Sequence, residues 1–440
     1  MFPLPVLPDG RLEQRFAESK PAYSPAEAMT EANRCLYCVE APCIKACPTG
    51  IDIPNFIHKI STGNTTGAAR TILKENILGA SCARVCPVEV LCAGACVYNT
   101  WGREPIAIGR LQRFATETAI KEKSLAKLVP AKKPSTGKKI AIVGAGPASV
   151  AAAGLLALEG HKAVLFEKKK IPGGLNTLGI APYKQSANAA LDEISQVFSL
   201  GDVELMDCVE IVAGQGGDGK VGADALLKDF DAVFLGLGLG ADSKLGVPGE
   251  DGPGVHGAVE LIEQIKADPK LHLSHVKTAL VIGGGNTAID IAHELKLLGV
   301  ADVAMVYRRT EKDMSGYVHE LAYARKHGVR LMENSVVTEF VRDGGKKLTG
   351  VKLKSGESLS CELVALAIGQ ATATGVAKAF PGVELDKKGN VVVDAKTHRT
   401  GNAKVWSGGD CVNGGKEVVN AVQEAKLAVR DMIRHLQGGK

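Results

Sequence analysis

Apolar and polar positions change rhythm three times along the chain. Up to about residue 120 the apolar residues recur at helical spacing, in segments such as Ile53 to Ser61 and Gly67 to Glu75, and no run alternates as a half-buried strand does. An all-helical domain over residues 1–120 is expected. Residues 121–138 carry neither period and contain Pro130, Pro134 and Gly137, as a linker does. From Lys139 the grammar becomes a short apolar run (Ile140 to Val143), a glycine turn, an alanine-rich helix (Ala148 to Glu159) and a second apolar run (Ala163 to Phe166), which is a βαβ unit. The unit recurs as Thr278 to Ile282, a turn at Gly283 to Gly285, a helix to Leu298 and a strand at Val303 to Tyr307. Strand-like segments follow at Leu363 to Ile368 and Val391 to Val393, then Gly408-Gly409-Asp410 and a closing helix from Val418. The simplest reading is α/β. The second βαβ domain, residues 273–362, is inserted in the first, whose parts are 139–272 and 363–440.

Composition fits two or three globular domains in 440 residues, with 45% hydrophobic and 23% charged positions and 51 glycines. The formal charge of +5 is mild and gathers at Lys121, Lys123, Lys127, Lys132, Lys133, Lys138 and Lys139. A solvated linker accounts for that run, and an acidic docking partner is the alternative. No aromatic residues interleave with these lysines, so nucleic acid is not expected as a partner. The first ten residues lack a basic segment followed by an apolar one, and no apolar stretch is long enough to span a bilayer, so a cytoplasmic protein without membrane contact is expected. In that setting eleven cysteines argue for metal or redox chemistry rather than disulfides.

Two glycine loops follow strands and open helices. In Gly144-Ala145-Gly146-Pro147-Ala148-Ser149 the small residues let backbone N–H groups approach a pyrophosphate, with Ser149 where a third glycine would stand. Glu167, at the end of the next strand, is placed to bind an adenosine ribose. In the second loop, Gly283-Gly284-Gly285-Asn286-Thr287-Ala288, the matching strand end carries Arg308 and Arg309, whose guanidinium groups suit a 2′-phosphate. Two Rossmann-like nucleotide-binding domains imply two nucleotides handled in sequence, most economically FAD and NAD(P)H. Gly173 and Gly174 mark a turn where backbone meets ligand.

Eight of the eleven cysteines form two runs, Cys35-x2-Cys38-x4-Cys43-x3-Cys47-Pro48 and Cys82-x3-Cys86-Pro87-x4-Cys92-x3-Cys96. Cys-Pro after clustered cysteines is common where thiolates converge on an iron-sulfur cubane, and the last cysteine of a run often serves the other cluster. Two all-cysteine zinc sites remain the alternative. Cys208, Cys361 and Cys411 are scattered and read as ordinary thiols.

The run from Cys35 through Ala41-Pro42-Cys43 to Cys47-Pro48-Thr49, with Gly109-Arg110-Leu111-Gln112-Arg113-Phe114 and the loop from Gly144 to Ser149, closely resembles dihydropyrimidine dehydrogenase, and the resemblance spans essentially the whole chain. It implies two 4Fe-4S clusters, one on Cys35, Cys38, Cys43 and Cys96, the other on Cys47, Cys86, Cys92 and Gln112, with Cys82 spare. It also implies FAD contacts at Ala145 to Ser149, Glu167, Lys168, Gly173, Gly174, Leu175, Lys184, Gly409, Asp410 and Val418. The nicotinamide nucleotide would be held by Gly284 to Thr287, Arg308, Arg309, Ala367, Ile368 and Gly369. NADPH-using animal members carry a further arginine where this chain has Ser315, which leaves NADH and NADPH both open. The pyrimidine-reducing FMN barrel of the animal enzyme has no counterpart here. An FMN-containing catalytic subunit that interconverts uracil or thymine with 5,6-dihydropyrimidines is therefore the implied partner in a hetero-oligomer. The small subunit of glutamate synthase is similar too, but typically has Glu in place of Gln112 and lacks the Ala-Pro-Cys form. A stand-alone NAD(P)H:acceptor oxidoreductase and a non-catalytic redox scaffold are the remaining readings. Hydride transfer needs positioning more than an acid or base, so no catalytic residue is named.

Overall fold

The computed structural model describes residues 2–438. Its amino-terminal part is helical, as the spacing predicts. Pro25–Ala32 starts from a capping box between Ser24 and Glu27, Ile53–Ser61 is capped by Asp52, and Thr65–Glu75 starts two residues earlier than the expected segment because Asn64 caps it. Phe56, Ile57, Ile60, Ile72 and Leu111 fill the core between these helices and Ile108–Lys123. Gly79–Val85 lacks a side-chain cap of its own. Glu193, from helix Ala187–Phe198 of the next unit, accepts from the N–H groups of Ala80 at 2.8 Å and Ser81 at 2.9 Å instead.

The linker is pinned rather than free. Leu125 and Leu128 are buried, Lys133 N–H donates to the Leu158 carbonyl, and Thr136 N–H donates to that of Gly160.

Two five-stranded parallel sheets follow. The first has the order Val405–Ser407, Ala232–Leu235, Lys139–Val143, Lys162–Glu167, Val203–Asp207. The second runs Arg330–Met332, Asp302–Val306, Thr278–Ile282, Leu363–Leu366, Val255–Gly257. Strand Leu363–Leu366 therefore corrects the expected boundary. It lies inside the second sheet rather than starting the return to the first, and Val255–Gly257 also belongs to that sheet although it precedes residue 273. A continuous apolar run buried on both faces suits either parallel sheet, so its composition cannot assign it. The chain crosses between units through Leu239–Asp242 and Gln370–Thr372, which pair antiparallel. The expected strand at Val391 to Val393 is reduced to an isolated bridge between Leu385 and Val391. A three-stranded antiparallel sheet, Val337–Arg342, Leu348–Leu353 and Ser358–Ser360, was not foreseen.

Both sheets are clothed by helices. Pro147–Leu158, rich in alanine, lies close against the carboxy-terminal helix Val418–Leu436. An amino-terminal strap ties the units together: Leu12 enters the core of the second, Arg11 donates to the Lys266 carbonyl at 2.8 Å, and Glu13 accepts from Ala187 N–H of the first at 2.6 Å. Among the described residues, no helix is long and apolar enough to cross a membrane.

Candidate functional site

The carboxyl ends of both sheets face one cleft of about 840 Å³. In the first loop Gly144 has φ +91°, and a Cβ there would stand 2.5 Å from the Gly236 carbonyl oxygen. Only glycine fits. Ser149, in the third-glycine position, is buried against Gly236, where helix and strand come close. Glu167 is buried, and its carboxylate accepts from Ala145 N–H and Lys169 N–H, each at 2.8 Å. It thus braces the loop. Gly173, at φ +103°, donates its N–H to the Ala145 carbonyl and brings the Gly173-Gly174 turn onto the same loop. Asp410 begins a short helix beside the cleft, accepts from Lys416 N–H at 3.1 Å, and is raised in pKa by burial.

In the second loop a Cβ at Gly283 would meet the Ala367 carbonyl oxygen at 2.3 Å, and one at Gly284 would meet the Tyr307 ring at 2.5 Å. Ala367, after strand Leu363–Leu366, therefore sits beside this loop, and Ser315 Oγ lies 3.5 Å from the Cβ position of Gly285. Arg308 and Arg309 are exposed, and the Arg309 guanidinium donates to Tyr307 Oη at 3.0 Å.

Of the residues singled out in the sequence, the cleft is walled by Gly144 to Ala148, Glu167, Lys168, Gly174, Leu175, Lys184, Asn286, Thr287, Gly409, Asp410 and Val418. Ser149, Gly173, Gly283, Gly284, Gly285, Arg308, Arg309, Ala367, Ile368 and Gly369 stand outside that wall. The two loops with their acidic and helical partners fit dinucleotides, because the backbone comes to the surface where side chains would block it.

Sequence reasoning named Lys184 only as an FAD contact and missed the residues with which it and its neighbours bridge the two units, Asp290, Glu320, Tyr183, Tyr317 and Glu417. Lys184 Nζ meets Asp290 Oδ1 at 2.7 Å and Glu320 Oε1 at 2.8 Å. Burial opposes its charge, but the two carboxylates hold its pKa above the ordinary lysine value. Tyr183 Oη also donates to Asp290, at 2.7 Å. Tyr317 Oη donates to Glu417 Oε1 at 2.8 Å, and burial followed by that contact pushes Tyr317 up to about 12. The alternating Gly236, Gly238 and Gly240 after strand Ala232–Leu235 also line the cleft, and their spacing after an apolar run was the available signal.

The thiols form two groups. Cys35, Cys38, Cys43 and Cys96 wall one small cavity. Burial, then neighbouring thiols, raises Cys35 and pushes Cys43 to about 11. Contact with Cys82, then burial, holds Cys86 well above its ordinary value, with Cys92 and Cys47 nearby; burial pushes Cys92 to about 12. Cys82 therefore lies beside the second group rather than apart from it. Gln112 is buried, and its amide nitrogen donates to the Gly79 carbonyl at 2.8 Å, which leaves Oε1 as its possible ligand atom. A single zinc needs four sulfurs at about 2.3 Å from the metal. Among the described residues no three His, Cys, Asp or Glu side chains group tightly enough to hold one metal ion. The partly buried thiols of Cys35, Cys38, Cys43 and Cys96 around their cavity suit a polynuclear cluster, whose positive irons would offset the cost of ionising them.

Residues 12–124 match the family model described as dihydropyrimidine dehydrogenase domain II, 4Fe-4S cluster, and residues 138–425 match pyridine nucleotide-disulphide oxidoreductase. The glutamate synthase [NADPH] small chain of Halomonas elongata is 34% identical, covering 96% of this chain and 94% of its own. The NAD-dependent dihydropyrimidine dehydrogenase subunit PreT of Escherichia coli is 32% identical, covering 96% and 97%. The thioredoxin reductase of T. acidophilum shares the fold of the nucleotide-binding part, with a TM-score of 0.54 over 68% of this chain and 99% of that one, at 23% identity. The chain belongs to the pyridine nucleotide-disulphide oxidoreductase family, as an NAD(P)H-dependent flavin and iron-sulfur electron-transfer subunit of the type shared by dihydropyrimidine dehydrogenase and glutamate synthase.

Proposed function

We propose that this chain is the electron-input subunit of a cytoplasmic dihydropyrimidine dehydrogenase, feeding an FMN-containing partner that interconverts uracil or thymine with 5,6-dihydropyrimidines. One observation carries the electron path. Val85 and Pro87, which flank Cys86, line the same cleft as Gly144 to Ala148 and Asn286-Thr287. Cys86 thus sits beside the nucleotide cleft with Cys47 and Cys92 near it, while the Cys35 group walls a separate cavity.

In this reading Gly144 to Ser149, Glu167, the Gly173-Gly174 turn, Asp410 and the helix start at Val418 hold FAD. Gly284 to Thr287, with Ala367 to Gly369 behind them and Arg308 and Arg309 outside, hold the nicotinamide nucleotide. Cys35, Cys38, Cys43 and Cys96 bind one cluster, and Cys47, Cys86, Cys92 and Gln112 the other. Held there, a flavin would supply a hydride acceptor for NAD(P)H, and the clusters would supply one-electron carriers. The chain's own part is positioning, water exclusion and charge: the helix Val418–Leu436 directs its positive end at the cleft.

Gln112 and the Ala41-Pro42-Cys43 form favour the pyrimidine reading. The 34% identity to a glutamate synthase small chain supports the second reading, delivery to a glutamate-forming large subunit. The test is to reduce the loaded protein anaerobically, isolate it with its co-purifying subunit, and offer alternative oxidants. Reoxidation by uracil or thymine, only with that subunit present, supports the proposal. Reoxidation by 2-oxoglutarate with glutamine replaces it with the second reading.

A further inference from the structure

Besides the Lys184 bridge, a run of contacts crosses the cleft between the two nucleotide units through Tyr317. Its backbone N–H donates to Asn286 Oδ1 at 2.8 Å, which fixes it to the second glycine loop. Its phenol donates to Glu417 Oε1 at 2.8 Å, and Glu417 is the N-cap residue of the carboxy-terminal helix in the first unit. Its ring stacks on His319, with centroids 5.7 Å apart and planes inclined by 12°. His319 in turn lies 3.5 Å from Glu89, in the turn after Cys86-Pro87. Asn286, Tyr317, Glu417 and Val418 all line the cleft.

Each segment joined here bears on a different partner in the reaction: Asn286 on one nucleotide, Val418 on the other, and Glu89 on the segment that carries a thiol group. We infer that Tyr317 is a positioning residue, whose hydrogen bond to Glu417 sets the separation and orientation at which the second nucleotide site meets the first. Hydride transfer demands reacting atoms about 3–3.5 Å apart, and a shift of about 1 Å can cost on the order of a hundredfold in rate. Lys184 with Asp290 and Glu320, and Tyr183 with Asp290, also join the units. Among these links the phenol–carboxylate bond is the one that runs from Asn286 of the second glycine loop to the N-cap of helix Val418–Leu436, with Tyr317 anchored by Asn286 and His319 and Glu417 by the helix it begins. The inference rests on the reading that NAD(P)H reduces a flavin in this cleft.

The test compares wild type, Y317F, E417A and the double variant, each loaded with flavin and clusters and assayed for flavin and iron content. Rapid mixing with NAD(P)H at several concentrations separates nucleotide affinity from the limiting rate of flavin bleaching. Y317F should lower the limiting rate about tenfold and leave affinity within about twofold. Without nucleotide, hydrogen exchange in residues 314–320 and 415–420 should rise in Y317F. The double variant should be no slower than either single one, since both remove the same bond. A limiting rate for Y317F within about twofold of wild type, additive losses in the double variant, or a change confined to affinity would overturn the inference. Should Y317F fail to load, E417A carries the same test from the opposite side of the bond. If the wild-type flavin itself does not bleach, the underlying reading falls, and the inference with it.

Discussion

Replacing Lys184 by methionine should weaken the joint between the two nucleotide units in a way that depends on pH. Its ammonium group is 18% exposed and holds two carboxylates, Asp290 at 12% and Glu320 at 17% exposure, with contacts of 2.7 and 2.8 Å. Removing one partner of a buried ion pair costs about 3–5 kcal/mol, because the remaining charge is left uncompensated. Residual exposure and the Tyr183 hydroxyl that still donates to Asp290 place the loss near the lower end. A loss of about 3 kcal/mol corresponds to roughly 6–12 °C for a unit of 150–250 residues. The chain has several units, so the transition is best followed by flavin release and by the fluorescence of buried Trp406 together. The pH dependence follows from Glu320, whose pKa is already raised by burial and by Asp290 despite Lys184. Without Lys184 it rises further. A carboxyl whose folded pKa exceeds its unfolded one favours the folded state at low pH and loses that advantage as pH rises. The K184M deficit should therefore be largest near pH 8 and shrink toward pH 5, and adding E320Q should recover part of it. A K184M protein within about 1 kcal/mol of wild type at pH 8, or with equal deficits at pH 5 and pH 8, would refute the reasoning.

Three further outcomes are expected. G144A places a methyl 2.5 Å from the Gly236 carbonyl oxygen at a φ of +91°, so the purified protein should lose flavin while keeping its iron, as the visible spectrum and iron analysis would show. C96S should lose about half the iron, whereas C82S should retain all of it and show an unchanged cluster signal in electron paramagnetic resonance. Burial lowers the Lys266 pKa from 10.5 to about 8, so the unfolded chain binds its proton more tightly between those values. Wild type should accordingly gain up to about 3 kcal/mol of stability relative to K266Q as pH rises from 8 to 10.5, measured by urea unfolding.

The strand–glycine–helix units were legible because period and turn agree: Thr278–Ile282 has the same ends in the sequence pattern and in the structure. Leu363–Leu366 was legible as a strand but not as a member of the second sheet, since its four residues are buried and nothing in an apolar run names its neighbours. Val391 looked like a strand from its three valines, but it is tied instead to the Cys411 carbonyl and bridged to Leu385 in an irregular segment. The glycine loops announce themselves through the small residues that backbone approach requires. Lys184 was singled out as a nucleotide contact, but its bridging partners Asp290 and Glu320, and the Tyr317–Glu417 bridge, give no such signal. The bridging residues lie up to 233 positions apart between residues 184 and 417, and each of these partners alone reads as an ordinary polar residue beside a helix. Cys82 shows the converse, since spacing places it in the run of ligands and only the fold shows that it crowds Cys86.

The most direct test of electron flow from nucleotide cleft to thiol groups is an anaerobic titration of the loaded protein with NADH and then NADPH, read by flavin absorbance and by electron paramagnetic resonance of the clusters. The account predicts that at least one nucleotide bleaches the flavin and that a reduced-cluster signal grows with it. A bleached flavin beside clusters that stay oxidised, although dithionite reduces them, would contradict it.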